Sequence, residues 1–348
     1  MAIVIYEADL IKDENLLVYT LNQNRARTTD ERRYRWLYLD NPFGKAKAWI
    51  AVDDRNDAIA GFTAVFPRLM YLDGKEVLCW NCGDFSINKS YRSLGVAVQL
   101  RSAATRIVNE GQVPFLYAHP NDRMKIVHLR AGHKVIGQMV RFAMPLKVER
   151  CFPPLPGMSW LSSGLAWASN TVRSISKQSR RSKQFFRAEI FDGFPIEAPF
   201  NSLLEQVRGR LSIFGLRNYE YLNWRFGMNP LVHLRTLLLY RIGQLVGYAF
   251  YSFKDEAMYI NDIFCLPDPD VADALTNCLT NIGWDQRARA VSVTLLESNP
   301  LIQSLVRNGY LRRPQTSSVI VHAAPGWPWE PMLQDKTNWF MTVGDRDV

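Results

Sequence analysis

The chain has 348 residues, 47% of them hydrophobic and 22% charged, with a formal net charge of +9. This excludes a globally disordered chain and provides for a large core in about two domains. The basic excess points to anionic partners (phosphates, nucleotides, acidic carrier proteins, anionic lipid) without choosing among them.

The N-terminal MAIVIYEADLIKDENLL predicts a strand entering a loop and lacks the basic-then-apolar order of a signal peptide. No apolar run reaches the roughly 18–20 residues of a spanning helix. Five scattered cysteines fit reduced thiols, so a cytoplasmic location is expected. A helical opening with Tyr34, Trp36 and Leu37 follows, and AWIAVDD and AIAGFTAVFPRLMYLDG predict a strand hairpin. The next strand carries CWNCGDFSI. Its Cys79 and Cys82 form a CxxC pair, but a metal or redox role needs a partner pair or a helix start, and neither is visible. Packed thiols beside Trp80, and no metal, are the expectation.

That strand meets a predicted helix at RSLGVA, residues 92–97. The first turn of a helix leaves about four backbone N–H groups without partners, and these, with the positive end of the helix dipole, attract a polyanion. Gly95 permits close approach of the backbone, Ala97 keeps the next position small, and Arg92 adds charge at the rim. The arrangement suits a pyrophosphate. Without a Walker lysine, nucleoside triphosphate hydrolysis is not indicated. A strand then ends near Asn121, a short helix carries His128, Gly132 and His133 follow, and VRFAMPLKV closes the half.

Residues 151–190 form a linker. It breaks at Pro-Pro-x-Pro-Gly and continues as an apolar stripe with Arg173, Lys177, Arg180, Arg181, Lys183 and Arg187. Two readings stand: a plain interdomain helix, or a basic amphipathic surface, over 160–187, for anionic lipid or an acidic carrier protein. Beyond it the first pattern returns. YRWLYLDNP is matched by YEYLNWRFGMNP, IAGF by LVGY, CGDFSI by INDIFC, and YAHPN by ESNP. Thirty-seven positions separate Asp84 from Asn121, and also Asp262 from Asn299. Spacing so conserved between dissimilar segments predicts one fold built twice: 1–150, the linker, and 191–348. Each half reads as a mixed α/β sheet flanked by helices. The second copy has Asp268, Asp270 and Asp273 where phosphates would go, and acids there repel a pyrophosphate.

The order strand, Arg-x-x-Gly-x-Ala helix, strand, asparagine, short helix and Gly-aromatic resembles the GNAT superfamily of acyl-CoA N-acyltransferases, well over about 1–150 and in outline over about 200–325. The resemblance implies two tandem GNAT-like domains and transfer of an acyl group from acetyl-CoA or another acyl-CoA to a primary amine. It implies a pyrophosphate loop of Arg92, Ser93, Leu94, Gly95, Val96 and Ala97. Phe85, Ser86 and Ile87 would lie along the pantetheine arm, and Asn121 would contact it. Asp84 stands where the family places an acidic base or relay, and His128 close to where it places a tyrosine as acid for the thiolate. A looser likeness to bacterial surface-polysaccharide proteins implies an amino sugar or nucleotide sugar as acceptor, in a cleft lined by Tyr34, Trp36, Tyr221, Trp224 and Arg225. An acyl-carrier-protein donor and a non-catalytic GNAT-like binding protein are the alternatives. Nucleic acid is not expected, because the linker apart, the basic residues are dispersed.

Overall fold

The structure is a computed structural model that describes residues 2–24, 28–147 and 185–346. The linker readings therefore lie outside the described residues, save that Phe186 and Arg187 open a strand.

The first half runs β1 (Ile3–Glu7), α1 (Glu14–Asn22), α2 (Glu31–Tyr34), β2 (Lys47–Asp53), β3 (Ala58–Leu72), β4 (Lys75–Ile87), α3 (Val96–Asn109), β5 (Phe115–Ala118), α4 (Asp122–Arg130) and β6 (Lys134–Pro145). The second runs β7 (Phe186–Asp192), α5 (Phe200–Val207), β8 (Ile213–Gly215), α6 (Tyr219–Leu222), β9 (Arg235–Arg241), β10 (Gln244–Lys254), β11 (Ala257–Cys265), α7 (Pro269–Asp285), β12 (Ala290–Leu296), α8 (Leu301–Arg307) and β13 (Leu311–Ala323). A tail of α9 (Glu330–Gln334), β14 (Trp339–Phe340) and a turn over Val343–Asp345 ends the chain. Among the described residues no helix is long and apolar enough to cross a membrane.

The main strands form one mixed sheet in the order β1-β2-β3-β4-β5-β13-β6-β12-β11-β10-β9-β7. Here the structure departs from the sequence expectation. The last strand of each half does not close its own half. β6 pairs antiparallel with β12 of the second half, and β13 pairs antiparallel with β5 of the first. The exchanged strands pair with each other, so the sheet has no internal edge between the halves. One apolar cluster accordingly joins Trp36, Leu37 and Phe66 to Tyr221, Trp224 and Phe250.

The helical openings of the two halves are alike. α2 and α6 each span one turn, capped by Asp30 and Asn218. Each runs into a π-helical turn, Arg35–Leu39 or Asn223–Gly227. The two turns meet. Trp36 Nε1 donates to the carbonyl of Trp224 at 2.8 Å, and Trp224 Nε1 donates to that of Trp36 at 2.9 Å. The ring centroids lie 5.3 Å apart. Each buried indole N–H is thus satisfied by the other half.

Candidate functional site

Two parallel strands part in the first half. β4 pairs with β5 only at Trp80–Leu116 and Asn81–Tyr117. Past that point β4 runs on along β3 alone, and the β5-facing backbone of 82–87 has no strand partner. A bulge lies in the same stretch, because Thr63 and Val65 of β3 oppose Phe85 and Cys82, which sets one residue, Ala64, against two, Gly83 and Asp84. It re-aims the side chains. Trp80 and Cys82 before it, and Phe85 and Ile87 after it, pack in the cluster under α3. Asp84 and Ser86 turn to the opposite face, where Ser86 Oγ donates to the Thr20 carbonyl at 2.7 Å.

At the mouth of this fork stands the 92–97 turn. Ser93 has φ +68° and Gly95 φ +81°, both left-handed. A Cβ on Gly95 would come no nearer than 4.0 Å to the Gln99 side chain, so conformation and not room demands the glycine. Gly95 caps α3 without a side-chain hydrogen bond. The first intrahelical donors are Val98 and Gln99, both to the Gly95 carbonyl. Among the described residues the N–H groups of Ser93, Leu94, Gly95, Val96 and Ala97 have no acceptor. Residues 92–95 are exposed, so no packed side chain fills the turn. Arg92 donates to Asn24 Oδ1, and Asn24 in turn donates to Ser86 Oγ and the Ile87 carbonyl, which fixes the rim to the end of β4.

The second half has the same fork and the same bulge. β11 pairs with β12 only over Met258–Ile260, and its register on β10 shifts at Asp262. Here both features are occupied. At the start of α7, Asp268 Oδ1 accepts from the Asp270 N–H at 2.9 Å, Pro269 has no N–H to offer, and Arg241 pairs with Asp268 at 2.8 Å. Burial acts to raise the Asp268 pKa, but Arg241 and the backbone N–H groups outweigh it and hold the carboxyl below its usual range. The gap between the strands takes the chain's tail. Leu296 N–H donates to Met341 O, Thr342 bridges to Leu295, and Thr342 Oγ1 donates to Asp262. The open fork and bare helix start therefore occur together only in the first half.

Asp84 is fully buried. Arg33 grips it with two bonds, of 2.8 and 2.9 Å, and the Tyr38 hydroxyl donates to it at 3.0 Å. Asp262 is held the same way by Arg217, at 3.1 and 3.1 Å, and by Tyr248 at 2.9 Å. The grip of a guanidinium and a phenol on this aspartate therefore recurs in the half where the fork is filled. His128 is buried too. Burial, then Arg101 and His133, push its pKa far below the usual value. Asn121 caps α4, its Oδ1 accepting from the Met124 N–H at 3.0 Å.

Of the residues expected in a cleft, Tyr34, Trp36, Tyr221 and Trp224 are all core, and Tyr221, Trp224 and Arg225 also border a narrow cavity between the halves, with Asn41, Arg68 and Arg346. Sequence reasoning missed His119, which directly follows β5 where the strands part. It is buried, and both ring nitrogens lack a partner. Burial, then Arg346, pushes its pKa down to about 3. Its only sequence signal was its place between a strand and Pro-Asn. Cys79 and Cys82 are both buried, as expected of packed thiols, and the fold also brings Cys82 together with His128 and His133.

No protein-family model matches the chain, and no curated protein does. Solved structures do match. A GCN5-related N-acetyltransferase from Anabaena variabilis superposes with TM-score 0.63 at 13% identity, over 92% of this chain and 73% of that one. A probable N-acyltransferase from Enterococcus faecalis gives 0.62 at 12% identity, over 93% and 73%. Saccharomyces cerevisiae N-myristoyltransferase, solved with bound myristoyl-CoA, gives 0.55 at 13% identity, over 93% and 80%. At such identities the likeness establishes a shared fold, the GNAT fold.

Proposed function

We propose that the chain is an acyl-CoA-dependent N-acyltransferase that binds one coenzyme A, in the fork of its first half. The observation that carries the reading is the run of five unpartnered N–H groups, Ser93 to Ala97, at the mouth of an open strand fork. Arg92 and these amides would take the pyrophosphate. The pantetheine arm, which carries two amides, would run along the free edge of β4 at Phe85, Ser86 and Ile87 toward Asn121. The reacting thioester then lies where β4 and β5 part. There a β4 N–H freed from pairing is available to the developing oxyanion.

The amine must arrive neutral. We assign Asp84 to holding the bulge in place, not to removing the amine's proton, and we give His128 no acid role. His119 is the imidazole placed beside the fork on the tail face. With its depressed basicity it would orient the amine, and the proton would leave through water. The chain is read as a duplicated fold whose second copy lost the coenzyme to Asp268 and the tail. An amino sugar, free or nucleotide-linked, is the acceptor class we favour.

Acetyl-CoA is expected to raise the melting temperature of the intact protein, and Arg92→Glu to remove most of that rise. Thiol release across a panel of amines separates a transferase from a binding protein. No thermal shift with acetyl-, longer acyl-CoA or free coenzyme A at millimolar concentration would overturn the assignment.

A further inference from the structure

Behind the fork, on the α3 face of the sheet, three potential ligands converge from different elements. Cys82 lies on β4, His128 on α4 and His133 just past it. One ligand atom from each falls within 4.8 Å of the others, and all three side chains are buried. Cys82 Sγ and His133 Nε2 are 4.0 Å apart, and the rings of His128 and His133 meet edge to face at 4.5 Å. Nδ1 of His128 and Nδ1 of His133 are buried without a hydrogen-bond partner. Unpartnered imidazole nitrogens are costly in an apolar interior, and His133 turns its other nitrogen, Nε2, to the thiol.

The charge around the cluster selects among metals. Arg101, on α3, is 1% exposed, and its Nε and Nη1 have no partner. Its guanidinium lies 5.5 Å from the Phe85 ring, on the same face as the cluster. A divalent ion bound by one thiolate and two neutral imidazoles leaves a net positive charge next to this guanidinium, in a site that water does not screen. A monovalent ion with one thiolate leaves none. Soft thiolate and imidazole donors in a three-ligand set suit Cu(I). His322, half-buried at the edge of a surface pocket, stands 5.3 Å from His133.

We propose that Cys82, His128 and His133 form a buried three-coordinate site for a soft monovalent metal ion, Cu(I), which pins β4, where it parts from β5, to the end of α4. Binding replaces the thiol proton of Cys82 with the metal, and the proton leaves to solvent. No oxidation state changes. The site is independent of acyl transfer and can be tested without it.

The test is anaerobic titration of the full-length protein with Cu(I) against a chromophoric Cu(I) chelator, and separately with Zn(II) against a zinc indicator. One equivalent of Cu(I) is expected. Cys82→Ser should weaken it at least tenfold, and so should His133→Gln, while Cys79→Ser should not, because that thiol donates instead to the Arg68 carbonyl. Circular dichroism confirms that each variant is folded, and Cys82→Ser, being isosteric, is the one on which the outcome turns. Zn(II) should bind more weakly than Cu(I) to the native protein, and Arg101→Gln should narrow that gap. Stoichiometric Cu(I) binding unchanged by Cys82→Ser, or no competition with the chelator, overturns the site. Zn(II) preferred over Cu(I) in the native protein overturns the choice of a monovalent ion.

Discussion

Arg33, Asp84 and Tyr38 show how much one residue's role depends on what the fold sets beside it. A buried ion pair adds little net stability, but removing one partner strands the other. Asp84→Asn is expected to cost about 3–5 kcal/mol in chemical denaturation, because Arg33 keeps its charge in a site with side-chain exposure of 2%. A large loss of turnover in a variant of unchanged stability would instead make Asp84 a base. His119 makes a second prediction. Its folded pKa of about 3 lies below the unfolded value of about 6.5, so the unfolded chain takes up the proton first. Its contribution to stability is complete above about pH 6.5 and is lost as pH falls from there toward 3. His119→Phe should flatten the decline in stability between pH 7.5 and 5, by an amount on the order of 1–2 kcal/mol. An unchanged slope would show that His119 is not buried neutral.

At the scale of elements, the paired π-turns hold the halves together. Trp224→Phe keeps most of the ring but leaves the Trp36 carbonyl without its donor. The expected loss is about 1–3 kcal/mol, the cost of an unsatisfied buried acceptor, with little change in the affinity for acetyl-CoA. Coenzyme affinity should respond instead to Gly95→Ala, which strains the left-handed cap while filling no space. The sequence carried much of this level. The glycine at a strand-to-helix junction, the absence of any lysine in the turn and the acids at the start of α7 were all local signals. The bulges were not, since a bulge is a relation between two strands and only one is visible at a time.

For the molecule as a whole, the exchange of last strands makes each half depend on the other. A fragment of residues 1–147 lacks β13, so β5 loses its antiparallel neighbour and the sheet ends on an unpaired edge. It is expected to be unfolded or aggregated by circular dichroism and size-exclusion chromatography. A cooperatively melting monomeric fragment would show that the halves are autonomous. The tail adds a further tie. Asp345 accepts from Arg217 at 2.6 Å and from Arg68 at 3.0 Å, one from each half. Burial acts to raise its pKa, and the two guanidinium groups override it, holding the carboxyl below the ordinary range. That stability is present above the unfolded carboxylate pKa of about 4 and is lost as pH falls below it.

Periodicity and spacing determined the mixed α/β class and the glycine-capped helix start at 92–97, because each depends on neighbours within a turn or a strand. Asp84 and His128 could be located in the chain but not given a role. Their partners Arg33 and Cys82 lie about fifty residues away, and only strand pairing brings them near. The exchanged strands, the tail in the second fork and the meeting of Cys82 with two histidines were decided by tertiary structure alone. Which surface a segment buries against is settled by the free energy of the whole sheet and core, and no local window of sequence contains it.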